Sequence, residues 1–257
     1  MKKLLNVILL ILITSFSYGA DLVDEIISRG TLRVGTTGDY KPFTYLDNGK
    51  YVGYDIAVAE SIAKELGVKV EFVPTTWKNL LDDLNSDKYD IAMGGITRTT
   101  YRQTKAEMSS PYLIFGKCFL VRKGEKIKYT SIEDVNNPKV RVGVNIGGTN
   151  EKFADMYLKN AEIIRYENNL DVPLAVENGE VDVMVTETPE AIVYEKANNK
   201  LEGALVDKPL TKSQMGYLIK KDQIHLLNTV NFILEELEIN GTTEKIRKIY
   251  LNTFSSL

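Results

Sequence analysis

Apolar residues recur along this chain at two alternating spacings. Between Asp55 and Leu66 they fall at Ile56, Ala59, Ile62, Ala63 and Leu66, the rhythm of one helix face, and Gly67 ends it. Val68 to Val73 alternates as a half-buried strand does, and Asn79 to Leu84 returns to helical spacing. The same order reappears downstream. A β-branched run from Val142 to Ile146 predicts a strand, Glu151 to Leu158 a helix, Ile163 to Tyr166 a short strand and Val172 to Val176 another helix. Met215 to Ile219 reads as a last strand, followed by helices over Gln223–Leu237 and Thr242–Tyr250.

The recurrence is also one of sequence. Thr31 to Phe43 parallels Lys139 to Phe153, each opening on Arg-Val-Gly, and Leu84 to Ile96 parallels Ala175 to Thr186, each carrying a strand that begins at an aspartate, Asp90 or Asp182. Strands alternating with helices imply an α/β protein with parallel-type sheets and helices on both faces. Two such units in tandem predict two lobes: residues 20–121, residues 122–214, and a return of 215–257 to the first lobe. Ligands of such sheets lie outside the carboxyl ends of the strands, here in a cleft between the lobes.

The first residues belong to neither lobe. Met1, Lys2 and Lys3 form a basic start, Leu4 to Ile13 is almost unbroken apolar sequence too short to span a bilayer comfortably, and Ser17-Tyr18-Gly19 offers small residues at a signal-peptidase site. The pattern predicts a signal peptide over residues 1–19, cleaved after Gly19, with a retained anchor as the rival reading. Cleavage implies export, with no membrane anchor left.

Composition removes several classes. The formal charge is −3, and −5 without Lys2 and Lys3, which gives no electrostatic footprint for nucleic acid. Cys118 is the single cysteine, in a strand-like run that reads as core, so no internal disulfide can form. His225 is the single histidine, which excludes a histidine-rich zinc site and disfavours a Ser-His-Asp triad. No metal or other cofactor is implied.

Candidate chemistry begins at Gly147-Gly148-Thr149-Asn150, between the strand and the helix of the second unit. The glycines permit a tight turn, Thr149 or Asn150 can cap the helix, and the helix N-terminus offers free N–H groups to an anion. An ordinary strand-to-helix turn would look the same. Asp39 and Tyr40 follow the first strand and face the cleft by topology, with Lys41 beside them.

At Leu32-Arg-Val-Gly35, Gly53-Tyr-Asp-Ile-Ala57, Asp90-Ile-Ala-Met-Gly-Gly-Ile-Thr97, Arg102 and Ser110-Pro-Tyr112 the chain resembles the periplasmic solute-binding proteins of amino-acid ABC transporters, over essentially all of 21–257. Within that group, Thr37 to Phe43, Pro74 to Leu80 and Gly147 to Phe153 look more like the cyclohexadienyl dehydratases, enzymes on the binding-protein fold that convert prephenate or arogenate.

The resemblance implies a two-lobed periplasmic binding protein fold whose lobes close like a hinge on a small carboxylate ligand. It implies Arg102, rather than a surface Arg98, as the ligand's carboxylate holder, with Gly95 and Thr97 beside it and Gly148, Thr149 and Asn150 from the other lobe. It implies that Trp77 faces the ligand ring and that Glu190 is the general acid, against the plain reading of a glutamate favouring its helix dipole. Two positions depart from the pattern. Glu187 stands where amino-acid binders have an aspartate for the ligand's ammonium group, and Met215 stands near a lysine of the dehydratases. The expected function is prephenate or arogenate dehydratase; the alternative is a receptor that hands an amino acid to an ABC permease.

Overall fold

The structure, a computed structural model, describes residues 21–251. The expected signal peptide lies outside the described residues. The first half runs α1 (Leu22–Arg29), β1 (Thr31–Thr36), β2 (Asp39–Tyr40), β3 (Thr44–Asp47), β4 (Lys50–Val52), α2 (Tyr54–Glu65), β5 (Lys69–Pro74), α3 (Leu80–Asn85), β6 (Ile91–Ala92), α4 (Thr100–Gln103), β7 (Ala106–Met108) and β8 (Leu113–Phe115). The second runs β9 (Lys117–Arg122), α5 (Ile132–Val135), β10 (Arg141–Asn145), α6 (Thr149–Tyr157), β11 (Glu162–Tyr166), α7 (Asp171–Asn178), β12 (Val183–Glu187), α8 (Thr188–Ala197), β13 (Leu201–Ala204), β14 (Ser213–Met215), β15 (Leu218–Lys220), α9 (Ile224–Ile239) and α10 (Thr242–Tyr250). Among the described residues no helix is long and apolar enough to cross a membrane.

Two five-stranded sheets carry the lobes, in the orders β5-β1-β6-β15-β7 and β11-β10-β12-β9-β13. They are mixed rather than parallel. In the first, β15 runs against β6 and β7; in the second, β9 runs against β12 and β13. The reason is the route of the chain. β9 and β15 each arrive directly from the other lobe, so each starts at the cleft end of its sheet, where the parallel strands finish. The crossing is the antiparallel ribbon of β8 and β14, in register Ser213↔Phe115. The chain therefore enters the second sheet at Lys117, four residues before the expected boundary at 121. The expected strand Met215–Ile219 is broken at Gly216, whose N–H bonds to Ile96 O, while Met215 bridges Thr97. A small sheet of β2, β3 and β4, absent from the periodicity reading, stands beside the first lobe.

The sequence repeat has a physical basis. In each lobe the aspartate that precedes a central strand is held by the first strand's arginine. Asp90 accepts the Arg33 backbone N–H at 2.8 Å and its guanidinium at 2.7 Å; Asp182 accepts the Arg141 backbone N–H at 3.0 Å and its guanidinium at 2.8 Å. Arg29 joins the first cluster and Arg122 the second. These clamps sit at the end of each sheet remote from the cleft. Between clamp and cleft lie the cores: Leu32, Val34, Ile62 and Ile91 in the first lobe, and Phe119, Val142, Val183 and Val185 in the second. Cys118 is buried as expected.

Burial alone would raise the Asp182 carboxyl, but the bonds from Arg141 and Arg122 outweigh it and hold the pKa at about 2, below the ordinary 3.8. A carboxyl depressed on folding adds stability above its unfolded pKa, and that stability is lost as pH falls through the folded value. Asp182→Asn should therefore lower the urea midpoint at pH 7, and its deficit against wild type should shrink as pH falls from about 4 towards 2. A deficit unchanged by pH would contradict the clamp.

Candidate functional site

The parallel strands of both sheets end at the same cleft, and the loops and helix starts beyond those ends build the site. In the first lobe, Tyr40 comes after β1, Trp77 after β5, and Gly94 to Thr97 after β6. Gly95 adopts a left-handed φ of +70°, and a Cβ there would fall 2.4 Å from the Tyr40 ring, so only glycine lets the loop come this close. Its N–H is not free for a ligand, because it donates to Asp55 at 2.5 Å. Asp55, wholly buried at the start of α2, also accepts the Tyr112 and Tyr217 hydroxyls, at 2.7 and 2.8 Å. Burial pushes its pKa up to about 6 against these bonds.

Arg102 lies on α4 at 7% exposure. Nη1 donates to Thr97 O at 2.7 Å, and among the described residues no carboxylate lies within ion-pair distance. Burial pulls its pKa down to about 10, which still leaves it charged at neutral pH. A buried guanidinium with one carbonyl partner is suited to hold an incoming carboxylate. Arg98 is half-buried at the surface: it bonds Gln214 on the crossing ribbon at 2.8 Å and packs over Gly216.

In the second lobe, α6 has Gly148 at its N-cap, with no side chain capping it. The expected caps do other work. Thr149 Oγ1 and Asn150 Oδ1 accept from Lys117 Nζ, at 2.8 and 2.5 Å, and the Gly147 N–H goes to Glu151 at 2.8 Å. Lys117, the first residue of β9, stands directly opposite Glu187, the last residue of β12, and the two form a buried ion pair. Glu187 also accepts the Tyr40 hydroxyl at 2.7 Å, from the other lobe, and Thr149 Oγ1 at 3.2 Å. Burial works against both charges. In Glu187 the Lys117 ammonium more than offsets it and the pKa falls below 4.5; in Lys117 burial prevails and the pKa falls below 10.5.

Glu190 lies in the first turn of α8 and is fully buried. It accepts from Asn169 Nδ2 at 2.6 Å and from Thr186 Oγ1 at 2.5 Å. Burial drives its pKa well above 4.5; these two bonds oppose the rise, and the charges of Glu187 and Asp39 add to it.

Tyr40, Trp77, Gly95, Thr97, Gly148, Thr149, Asn150 and Glu187, all expected in the site, line one small cavity of about 20 Å³, together with Asn145 and Asn169. That is room for roughly one water. The lobes meet around it through Tyr40–Glu187, Thr97–Thr149 at 3.4 Å and Asn169–Asp39. Three expected site residues are not on its wall. Asp39 spends one carboxylate oxygen on Trp77 Nε1 at 2.9 Å and the other on the Asn169 N–H at 3.1 Å. Glu190 stands behind Asn169, and Arg102 behind Thr97, each bonded to the wall residue in front of it. No group of three or more metal-ligating side chains occurs among the described residues.

The profile of the bacterial extracellular solute-binding proteins, family 3, matches residues 32–253. The chain belongs to that family. It is 38% identical over 202 residues to a cyclohexadienyl dehydratase of Pseudomonas aeruginosa, covering 78% of this chain and 75% of that one. Among solved structures it is similar to an ancestral amino acid-binding protein described as a precursor of cyclohexadienyl dehydratase, at TM-score 0.84 and 43% identity over 89% of this chain and 99% of that one. It is also similar to an ancestral cyclohexadienyl dehydratase, at TM-score 0.57 and 55% identity over 91% and 97%.

Sequence reading missed Lys117, Asn145 and Asn169. Lys117 heads an apolar strand and looks like its solvated end. What places it in the site is the antiparallel register with β12, which periodicity does not contain. Met215, which stands near a lysine of the dehydratases, is buried in the first lobe with Tyr112 on its sulfur at 3.7 Å, while the ammonium behind the cleft wall comes from Lys117 on β9.

Removing one member of a buried pair strands the other charge. Lys117→Met should cost about 3–5 kcal/mol of stability, and Lys117→Met with Glu187→Met should recover most of it. Urea unfolding of both variants checks this; a double variant no more stable than Lys117→Met would contradict the pairing.

Proposed function

We propose that the protein is an exported dehydratase that converts a cyclohexadienyl dicarboxylate, prephenate or arogenate, into its aromatic product with loss of water and carbon dioxide. The observation that carries the reading is Glu190: a wholly buried carboxyl, its pKa driven well above the ordinary 4.5 by burial, one side chain behind the wall of a cleft rich in anion holders. The relatives named for the dehydratase and the exported family to which the chain belongs support it.

The lobes must part to admit such a ligand, because a substituted six-membered ring does not fit in 20 Å³. On reclosing, Arg102 takes one carboxylate in its planar fork, the uncapped start of α6 with Thr149 takes the other, and Trp77 packs against the ring. Glu190 then gives its proton to the leaving ring hydroxyl. The ring carbon–oxygen bond breaks to release water, the electrons of the ring carbon–carboxylate bond move into the ring, and carbon dioxide leaves. Aromatisation drives the step. Lys117 stabilises negative charge on the ligand from the α6 side.

The second reading, a periplasmic receptor that passes an amino acid to an ABC permease, draws on the amino acid-binding ancestral relative. Against it stands the state of Glu187. The acid that would receive a ligand's ammonium group already holds an internal one from Lys117 and two hydroxyl donors besides.

Glutamine is nearly isosteric with the acid but cannot transfer its proton. Glu190→Gln should keep ligand affinity within a few-fold and lower kcat by roughly 10²–10⁴-fold. In the wild type, kcat should fall at high pH, with the limb above the ordinary glutamate value of 4.5. Phenylpyruvate release from prephenate measures both. A variant that retains full kcat would remove Glu190 from the chemistry.

A further inference from the structure

Asp39 and Asn169 form the polar contact between the lobes that leads to Glu190. Asp39 belongs to the first lobe and is anchored by Trp77; Asn169 belongs to the loop between β11 and α7 in the second. Asn169 uses every N–H it has. Its backbone N–H reaches Asp39 Oδ2 at 3.1 Å, and Nδ2 reaches both the Asp39 backbone carbonyl, at 3.1 Å, and Glu190 Oε1, at 2.6 Å. Its Oδ1 is buried with no partner. Turning the amide over would set that oxygen against the Asp39 backbone carbonyl, which can only accept, so the surroundings fix the orientation at the expense of an unmet acceptor.

We infer that Asn169, clamped by Asp39 only when the lobes are together, is a positioning residue that orients Glu190, and that Asp39 acts on the acid through closure rather than by touching the ligand. This rests on Glu190 being the proton donor. Closure does two things to the acid that oppose each other. It brings the Asp39 carboxylate near, which favours the protonated form, and it locks the Asn169 amide, whose bond favours the carboxylate. The other ionisable groups around Glu190 are Glu187 on β12, Tyr194 on α8, Tyr40 on β2, and Cys118 on β9 beside Lys117. None of them bridges the lobes to Asn169. When the lobes part, Asn169 loses both bonds to Asp39, and Glu190 keeps only partners from its own lobe. The proton donor is thereby tuned in the closed form that holds the ligand.

The two residues push the acid in opposite directions, and a purely structural role would not. Removing the charge in Asp39→Asn should lower the Glu190 titration midpoint, and removing the amide in Asn169→Ala should raise it, each by about half a pH unit or more. The experiment follows the Glu190 carboxyl by carbon-13 NMR in protein labelled at glutamate side chains and saturated with phenylpyruvate, with Glu190→Gln to assign the signal. The pH dependence of kcat with prephenate is measured in parallel. The expected result is opposite displacement of the midpoint in the two variants, with the alkaline limb of kcat moving the same way. Midpoints that stay at the wild-type value, or that move together, overturn the inference. Opposite displacements in a protein that leaves prephenate unchanged would uphold the positioning of Glu190 and reject the dehydratase reading.

Discussion

The site depends on one buried ion pair. Lys117 and Glu187 face each other across β9 and β12, and Thr149, Asn150 and Tyr40 are arranged around them. Thr149 and Asn150 turn to the ammonium instead of capping α6, which leaves that helix start open to an anion. Tyr40 reaches across from the first lobe to the carboxylate, so the pair also helps to hold the lobes together. A buried pair of this kind is weak evidence for stability, because desolvation of both ions opposes their attraction. Its value here is to fix an ammonium directly behind Thr149 and Asn150 of the cleft wall and to occupy the carboxylate that would otherwise attract a free one.

That arrangement results from how the chain crosses between lobes. A strand arriving from the other lobe must start at the cleft end of its sheet, and so must run against its neighbours. Its first residue is then delivered to the cleft. β9 delivers Lys117 in this way, and β14, on the return, brings Met215 against Thr97 before β15 enters the first sheet. The Arg33–Asp90 and Arg141–Asp182 clamps hold the opposite ends of the two sheets, away from the strand ends, loops and helix starts that carry the functional residues.

Much of the fold was legible in the chain. The duplicated Arg-Val-Gly strand and the aspartate strand announced two α/β units, and helical periodicity located α2 and α9 to within a residue or two at either end. What periodicity could not supply was strand direction, since an alternating or apolar run reads the same forwards and backwards. Lys117 was lost for that reason. Asp39 was placed in the cleft by topology, and the structure turns it instead towards Trp77 and Asn169, because a carboxylate beside an indole N–H and a backbone N–H satisfies both. Eight of the expected wall residues do share one cavity, because each lies at or past the carboxyl end of a strand or, for Gly148 to Asn150, opens a helix there.

On the proposed reading this cleft, backed by Lys117 and by the buried Glu190 carboxyl with its raised pKa, acts on its ligand instead of only holding it. The most direct measurement takes purified wild-type protein, follows phenylpyruvate formed from prephenate over many turnovers, and titrates L-arginine and L-phenylalanine into the same preparation by calorimetry. Phenylpyruvate should be released catalytically, with little heat from either amino acid. Tight binding of an amino acid by protein that leaves prephenate intact would contradict it.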